Sequence, residues 1–298
     1  MARDKEAFDI EDPRQRKEAS MSRPGPSPAA ESVAEVVGTF ILVFFGCGSV
    51  AVAVLTGALA GLWQVAIVWG FGITLAIYAT AAVSGAHINP AVTLAFAIFR
   101  RSEFPPSKIL RYWVSQFVGA FLAAGLLYVL FSGVLADFES TNDLVRGASG
   151  SQLSAMMFGE YFPNPAVFSA SRGSFGLVPI GTGLAAEAVG TAFLAFFVFA
   201  LTDRRNQNGP GAMTPFFIGF TVAIIISIIA PLTQAGLNPA RDFGPRLFSF
   251  IAGWGEIAIP GPRGGFWIYI AGPLVGAVGG SLIYQTLIGR ALPTRNDR

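Results

Sequence analysis

The stretch SGAHINPAV, residues 84–92, places a helix start inside a long apolar region of the chain. Asn89 is a favoured helix N-cap residue, Pro90 suits the first helical position, and the small Ala91 permits close approach of another segment. The apolar piece that follows, about 89–99, has half of the roughly 20 residues that cross a bilayer core. At about 1.5 Å per residue, such a helix reaches from one membrane surface to the midplane. The motif therefore predicts a half-helix that begins at the centre of a membrane.

A second copy of the motif lies in the other half of the chain. QAGLNPARDFGPRLF, residues 234–248, resembles SGAHINPAVTLAF, and the step from Asn89 to Asn238 is 149 residues. AEAVGTAFLAFFVFA resembles AEVVGTFILVFFGCG at nearly the same offset, 152 residues from Ala34 to Ala186. Three predicted spans separate each repeat start from the next, so the second copy enters the membrane from the opposite face, as in an inverted repeat. The second motif consists of Asn238, Pro239 and Ala240.

Composition assigns the chain to the membrane. Of its 298 residues, 53% are hydrophobic and only 13% are charged, too apolar a balance for one soluble core. Six stretches are long enough to span, at about 32–55, 63–83, 109–132, 178–202, 214–232 and 265–289, and two are half that length, at about 89–99 and 238–250. The predicted fold class is an all-α membrane protein with six transmembrane helices and two re-entrant half-helices in an inverted repeat.

The basic residues predict the orientation. Six Lys or Arg precede span 1, four lie between the first half-helix and span 3, two lie between spans 4 and 5, and three follow span 6. This places 15 of the 20 on one side, which the positive-inside rule makes cytoplasmic, with both termini there. The predicted organisation is a disordered cytoplasmic tail (1–30), repeat one (about 31–132), an outer loop (about 133–177), repeat two (about 178–291) and a cytoplasmic tail (292–298).

The two half-helices predict a cavity. Non-helical backbone is tolerated at membrane depth only where it is buried in protein or lines a watery space, and two inverted copies meeting cap to cap would make such a space. If the side-chain carbonyl of each asparagine caps its own helix, its amide is free to donate into the lumen. Two positive helix ends converge there and repel cations and protons, so the arrangement favours neutral, hydrogen-bonding solutes.

The sequence offers little for catalysis or metal binding. Cys47 is the single cysteine and His87 the single histidine, so we expect no disulfide, no Cys or His metal cluster and no cofactor. Cys47 is predicted to pack, whereas His87 either lines the inner vestibule or packs. Glu35 and Glu187 lie at matching places in spans 1 and 4, where acids are costly. An enzyme would use them as an acid/base pair, but no nucleophile or cofactor loop accompanies them.

From about Glu31 to Ala291 the sequence resembles the aquaporin family, on the two NPA motifs at matching places in the repeat. The resemblance implies a channel domain over 31–291, one pore per subunit, usually a homotetramer, and a plasma or bacterial inner membrane location. It also implies that Glu35 and Glu187 buttress backbone amides of the half-helix loops. A third NPA, residues 164–166 in EYFPNPAVFSASRG, precedes a short polar stretch and is predicted to be a loop segment.

The same resemblance assigns a selectivity filter by spacing. Its four positions are Trp69, Ile226, Ala235 and Arg241. Water-selective members typically carry a histidine where this chain has Ile226, so we expect a wide constriction, apolar at Trp69 and polar at Arg241, which suits a carbon chain with hydroxyls. Arg241 would donate to solute hydroxyls and repel cations, the alternative being a snorkelling or paired surface arginine. Most glycerol facilitators carry a second aromatic in place of Ala235 and a glycine in place of Ile226, and the Trp/Ile/Ala/Arg set is more similar to plant nodulin-26-like proteins.

Four further residues match those that glycerol-conducting members carry. They are Asp242, Arg246, Pro273 and Leu274, although simple span packing is an equal interpretation for the last two. The sequence thus predicts a passive channel for small neutral polyols such as glycerol, with water as a further permeant. The alternatives are a channel for water, ammonia, urea or metalloid acids, a membrane scaffold, and an ion-coupled transporter. The last is disfavoured because no solitary carboxylate is expected near either half-helix start.

Overall fold

The computed structural model describes residues 25–168 and 172–293, so most of the predicted N-terminal tail and residues 294–298 of the C-terminal tail lie outside the described residues. Within these ranges the chain is helical, with turns and loops between the helices and no strands. Six helices are long and apolar enough to cross a membrane. They are α1 (Pro28–Thr56), α2 (Leu62–Ser84), α4 (Ile109–Thr141), α6 (Ile180–Thr202), α7 (Thr214–Thr233) and α9 (Ile268–Ile283), the last continued by a π-helical turn and a 3-10 turn to Ala291.

Two shorter helices begin at the NPA motifs. They are α3 (Pro90–Phe99) and α8 (Pro239–Ser249), and each starts at the proline of its motif, as the sequence predicts. The described part of the chain thereby has the six spans and two half-helices of the predicted fold class. A single-turn helix, α5 (Gln152–Ala155), lies in the long segment between α4 and α6.

The helices pack with the symmetry of the repeat. In the first half α1 packs on α2 and α4, and in the second half α6 packs on α7 and α9. The two halves meet where α2 packs on α7. Each half-helix crosses over to the opposite repeat, so that α3 packs on α9 and α8 packs on α4.

Glycines allow these close approaches. At the α2–α7 contact, a Cβ on Gly219 would fall well inside 3 Å of the Gly70 carbonyl oxygen. At the α6–α9 contact, a Cβ on Gly276 would meet the carbonyl oxygen of Ala188 in the same way. Small residues at such contacts let two helix backbones approach, which is how membrane helices gain packing energy without a hydrophobic driving force between them.

Helix α4 is longer than predicted. It continues to Thr141 instead of ending near residue 132, so the predicted outer loop begins as helix. The extension is held by Glu139, whose carboxylate accepts hydrogen bonds from Arg146 (Nη2–Oε2, 2.7 Å) and from the Ser154 hydroxyl (2.8 Å). Hydropathy cannot detect a helix end that tertiary contacts stabilise.

Candidate functional site

The two NPA motifs cap their own half-helices. The side-chain oxygen of Asn89 accepts a hydrogen bond from the Ala91 N–H at 2.8 Å, and that of Asn238 accepts one from the Ala240 N–H at 3.0 Å. Both asparagines have extended backbone and lie immediately before the helical proline, the geometry expected of an N-cap. The two helix N-termini therefore carry satisfied caps where they approach each other.

The asparagine amides also join the two motifs. Asn89 Nδ2 donates to the carbonyl of Leu237 at 3.0 Å, and Asn238 Nδ2 donates to the carbonyl of Ile88 at 2.8 Å. This corrects the expectation that both amides are wholly free, because one N–H of each is used across the contact. An amide carries two N–H groups, so a second donor remains on each asparagine.

Strained backbone leads into each motif. Ile88 and Leu237 have positive φ angles of 44° and 54°, and Ala86 and Ala235 have 50° and 63°. Residues with side chains rarely adopt this left-handed region, and they do so only where the surroundings hold them. The strain occurs at matching places in the two repeats.

Glu35 supports the first strained loop. One oxygen of its carboxylate accepts from the His87 N–H at 2.9 Å, and the other accepts from the Ile88 N–H at 2.7 Å. It also accepts from the Ser84 hydroxyl and from Gln116 Nε2, both at 2.7 Å. Gln116 therefore orients this carboxylate.

Glu187 supports the second loop in the same way. Its carboxylate accepts from the N–H groups of Gly236 (3.0 Å) and Leu237 (2.7 Å) and from the Thr233 hydroxyl (2.6 Å). Both glutamates are fully buried. The two acids thus bond to the main chain of the motif loops, as the resemblance implies, and neither is placed as half of an acid/base pair.

Two cavities meet at the predicted filter. A termini-side cavity of about 320 Å³ is lined by α1, α2, α6, α7 and both motif loops, including Asn89 and Asn238. A loop-side cavity of about 520 Å³ opens beneath the segment between α4 and α6. Trp69, Ile226 and Arg241 line both cavities, and Ala235 lines the termini-side one. The four residues that spacing selects are therefore brought together where the cavities join.

Arg241 is buried and paired. Its Nη1 donates to the carbonyl of Phe158 at 3.1 Å, its Nη2 forms an ion pair with Glu160, and its Cζ lies 4.6 Å from the centre of the Trp69 ring. Only 2% of Arg241 and 1% of Glu160 is exposed. The Glu160 carboxylate therefore compensates the charge of Arg241.

Glu160 was missed by sequence reasoning. It lies in EYFPNP, in the long segment that precedes α6, and nothing in its spacing predicts that it reaches Arg241. The sequence predicts no solitary carboxylate near either half-helix start, and Glu160 lies against Arg241 in the first turn of α8. The carboxylate that is present is bound to an arginine and is not solitary, so the argument against an ion-coupled transporter keeps its direction.

The third NPA forms a turn and not a half-helix. Asn164 accepts from the Ala166 N–H at 2.9 Å, as the two pore asparagines do with their own alanines, but residues 165–168 form turns and not a helix. Its amide donates to the carbonyl of Ala230 at 2.9 Å, and the residue lines the loop-side cavity. The prediction of a loop segment holds for this stretch.

His87 satisfies both of its predicted alternatives. It lines the termini-side cavity, and its ring packs against Phe96, Phe104 and Tyr112 with centroids 4.7, 4.5 and 5.3 Å away. An aromatic cluster therefore holds the histidine in the cavity wall.

The four residues that match glycerol-conducting members divide into two pairs. Asp242 and Arg246 are buried in α8 and bound to each other. Pro273 and Leu274 lie within α9, where Leu274 packs against the hydrophobic core. Among the described residues that line the two cavities, none of these four occurs.

Residues 26–284 match the family model described as Major intrinsic protein. The chain belongs to the major intrinsic protein family. The match covers both motifs, all six spans and the segment that carries Glu160.

Relatives in this family align over most of the chain. The glycerol uptake facilitator protein of Haemophilus influenzae is 41% identical over 266 residues, covering 89% of this chain and 96% of the relative. That of Escherichia coli K12 is 42% identical over 265 residues, covering 88% and 89%. The propanediol uptake facilitator PduF of Citrobacter freundii is 41% identical over 266 residues, covering 89% and 94%.

A solved structure shares the fold. The aquaglyceroporin from Plasmodium falciparum superposes with a TM-score of 0.73 at 24% identity, covering 88% of this chain and 97% of that one. This likeness shows that the six spans and two half-helices form the aquaporin fold.

Proposed function

We propose that this protein is a passive membrane channel for glycerol and similar small neutral polyols, with water as a further permeant. One observation carries the proposal: the junction of the two cavities is polar on the Arg241 side and apolar at Trp69, Ile226 and Ala235. A polyol has the same two-sided chemistry, with hydroxyls along one edge of a carbon chain. The names of the relatives, which are facilitators of glycerol and propanediol uptake, support this solute class.

The geometry explains how such a solute would cross. Losing water costs a hydroxyl group several kcal/mol unless a new hydrogen bond replaces the old one. Along the termini-side cavity the replacement partners lie on one side, in the motif loops 85–89 and 235–238. The other walls are mainly apolar, apart from Thr202 and Thr214, and accept the carbon chain through Leu42, Ile73, Ile77, Val198 and Val222.

Exclusion of ions is part of the same proposal. The Glu160 carboxylate compensates the charge of Arg241, so the barrier to cations rests on the two helix N-termini and on the apolar walls. Each N-terminus carries the equivalent of about half a positive charge. A cation that leaves water finds no anionic partner along the apolar walls that would repay its dehydration.

We also propose an orientation, a location and an assembly. The distribution of Lys and Arg favours cytoplasmic termini, and the bacterial relatives favour the inner membrane. The family resemblance favours a homotetramer with one pore in each subunit. Crosslinking in native membranes tests the subunit number, and protease access to residues 1–24 from each side tests the orientation.

The first experiment measures water and glycerol permeability of reconstituted liposomes by stopped-flow light scattering. Arg241→Val alone would leave Glu160 buried without its partner, a strongly destabilising change. The matched variant is therefore Arg241→Val combined with Glu160→Gln. We expect glycerol entry well above empty liposomes, without proton conduction, and a changed glycerol-to-water ratio in the double variant.

The other outcomes identify the rivals. Water flux without glycerol flux would show that the junction is not wide, and the water-channel alternative would replace the proposal. Uptake that depends on a proton or sodium gradient would identify a coupled transporter. Urea, ammonia and undissociated metalloid acids are also small neutral solutes. Ile226 and Ala235 differ from the residues that most glycerol facilitators carry at these positions, so these solutes are tested as well. Their fluxes in the same liposomes rank them against glycerol.

A further inference from the structure

Asp242 and Arg246 lie one helical turn apart in α8, directly after Arg241. Arg246 Nε donates to Asp242 Oδ2 at 2.8 Å and its Nη2 donates to Oδ1 at 2.7 Å, so the pair is held by a two-pronged ion pair. Both side chains are buried to within 1%. Arg241 lines both cavities, whereas Asp242 and Arg246 line neither of them. Helix α8 therefore has a charged side chain toward the solute path and a charged pair toward the loop segment.

The pair grips the main chain of a single loop residue. The N–H of Glu160 donates to Asp242 Oδ1 at 2.7 Å, and the carbonyl of Glu160 accepts from Arg246 Nη2. Arg246 Nη1 also donates to the carbonyl of Ala258 at 2.9 Å. Both main-chain hydrogen-bonding groups of Glu160 are thereby fixed to α8 by two charged side chains.

The loop fits closely around this grip. A Cβ on Gly159 would lie 3.0 Å from Arg246 Cζ and 3.2 Å from its Nε, so the position next to Glu160 has little room for a side chain. On the other side, the Tyr161 N–H donates to Gln234 Oε1 at 2.7 Å. The peptide that carries Glu160 is therefore fixed from both directions.

The gripped segment supplies two of the contacts of Arg241. Phe158 provides the carbonyl that accepts from Arg241 Nη1, and Glu160 provides the carboxylate of the ion pair. A shift of this segment would move both partners of the guanidinium together. The direction of the Arg241 head group over Trp69 then depends on where α8 holds the loop.

We infer that Asp242 and Arg246 are positioning residues that set the specificity of the junction through Glu160 and Arg241. The inference rests on the proposed function, since it concerns the same junction. Asp242 and Arg246 touch no solute; they determine where the partners of Arg241 stand. The competing interpretation is that the pair only stabilises the fold, in which case its loss lowers the amount of folded channel without changing what a folded channel selects.

The test is a double-variant cycle in liposomes with Arg246→Lys, Glu160→Gln and the two combined. Lysine keeps the positive charge but lacks the planar fork that reaches Asp242, Glu160 and Ala258 at once. We expect Arg246→Lys to change the glycerol-to-water permeability ratio by about threefold or more. The effect of the combined variant should depart from the sum of the two single effects, because both changes act on the contacts of Arg241.

The permeability ratio separates the two interpretations because it does not depend on the number of folded channels. An unchanged ratio in Arg246→Lys, or fully additive effects in the combined variant, would overturn the inference. Arg146→Lys is the matched control, since Arg146 anchors the same loop to Glu139 away from Arg241 and should leave the ratio unchanged. If Arg246→Lys does not fold, Asp242→Asn replaces it in the cycle.

Hydrogen exchange gives a second readout that is independent of transport. The Glu160 amide should exchange faster in Asp242→Asn and in Arg246→Lys than in the wild type. Equal exchange rates would show that Asp242 and Arg246 do not hold the Glu160 main chain. If the wild type conducts water but not glycerol, the proposed function fails. The positioning role is then judged by water permeability per folded channel, which must change in Arg246→Lys and must respond non-additively in the combined variant.

Discussion

Asn89 and Asn238 each cap their own half-helix and donate to the carbonyl directly before the other motif. The relationship is reciprocal, so the two half-helix starts are held at a fixed separation by two crossed hydrogen bonds. The amides thus have a structural role in addition to the donor role that the sequence assigned them. This dual role makes substitutions at the two positions informative.

Asn238→Asp separates the cap from the donor. Aspartate caps a helix as well as asparagine does, but it lacks the N–H groups and places a negative charge between two positive helix ends. We expect the helix to remain and proton or sodium leakage to rise by about tenfold, since neutralising a helix end is worth up to ~2 kcal/mol. Fluorescent-dye liposomes measure the leak. Asn164→Asp is the control, because it makes the same change in the same cap geometry on the loop-side cavity, and an equal leak there would contradict the prediction.

Ile226→Gly should widen the junction. Removing this side chain opens the wall opposite Arg241, so four- and five-carbon polyols should enter faster relative to glycerol. Glycine in a helix costs about 1 kcal/mol whatever its position, and this cost must be separated from the effect on size selection. Ile225→Gly provides that control, because Ile225 is equally buried in α7 but is not part of either cavity lining described here. Equal solute ratios in the two variants would show that Ile226 does not limit the pore.

Glu187→Gln should destabilise the fold. The carboxylate accepts two main-chain N–H groups and a hydroxyl, and an amide offers one oxygen and turns an N–H group toward another donor. Hydrogen bonds to a buried charge are worth about 1.5–3 kcal/mol each, so we expect a loss of about 3 kcal/mol in the free energy of unfolding. Denaturation in detergent measures it. Glu35→Gln should cost a similar amount because the repeat places it identically, and the exposed Glu256→Gln should cost nothing.

Gly219→Ala tests the contact between the two halves. The added methyl would press on the Gly70 carbonyl and force α2 and α7 apart, at a cost of about 1–3 kcal/mol. Gly279→Ala is the matched control, since a Cβ there would meet nothing within 4 Å and the substitution should stabilise α9 by about 0.5–1 kcal/mol. Thermal unfolding of the two variants in the same detergent should therefore shift in opposite directions.

Asp203, just beyond the end of α6, predicts a pH dependence. Burial opposes its ionised form, but hydrogen bonds from Arg205 and Tyr284 outweigh burial and lower its pKa from 3.8 to about 2. Because the folded pKa is depressed, the stabilisation is present above pH 3.8 and is lost as the pH falls through about 2. The difference in melting temperature between wild type and Asp203→Asn should therefore be constant from pH 7 to about pH 5 and shrink below pH 4. A difference that already shrinks between pH 7 and 5 would assign the effect to another group.

The sequence predicted the elements whose evidence is local or periodic. Both half-helices, all six spans and the matching places of Glu35 and Glu187 follow from apolar lengths, cap residues and the repeat. Each of these depends on chemistry within a short window, where N-cap preference and membrane thickness leave few alternatives.

The features that the sequence did not predict depend on long-range contacts. Glu160 lies 81 residues before Arg241 in the chain, from 160 to 241, and reaches it because Asp242 and Arg246 of α8 hold the main chain of Glu160. Arg100 is one of the four basic residues counted between the first half-helix and span 3, and the count does not show that it is 8% exposed and donates to the Thr202 hydroxyl and the Phe199 carbonyl at 2.7 and 2.8 Å. Hydropathy and charge counts contain no information on which distant carbonyl a flexible side chain will find.

The packing of each half-helix on the opposite repeat affects the order in which the helices assemble during synthesis. Helix α3 packs on α9, which starts 169 residues further along, from Phe99 to Ile268. At about 5–20 residues per second of synthesis, the wait for that partner is roughly ten to thirty seconds. Until then α3, with its polar N-terminus, lacks the α9 surface on which it packs. Helix α3 is therefore synthesised early but is among the last elements to reach its final position.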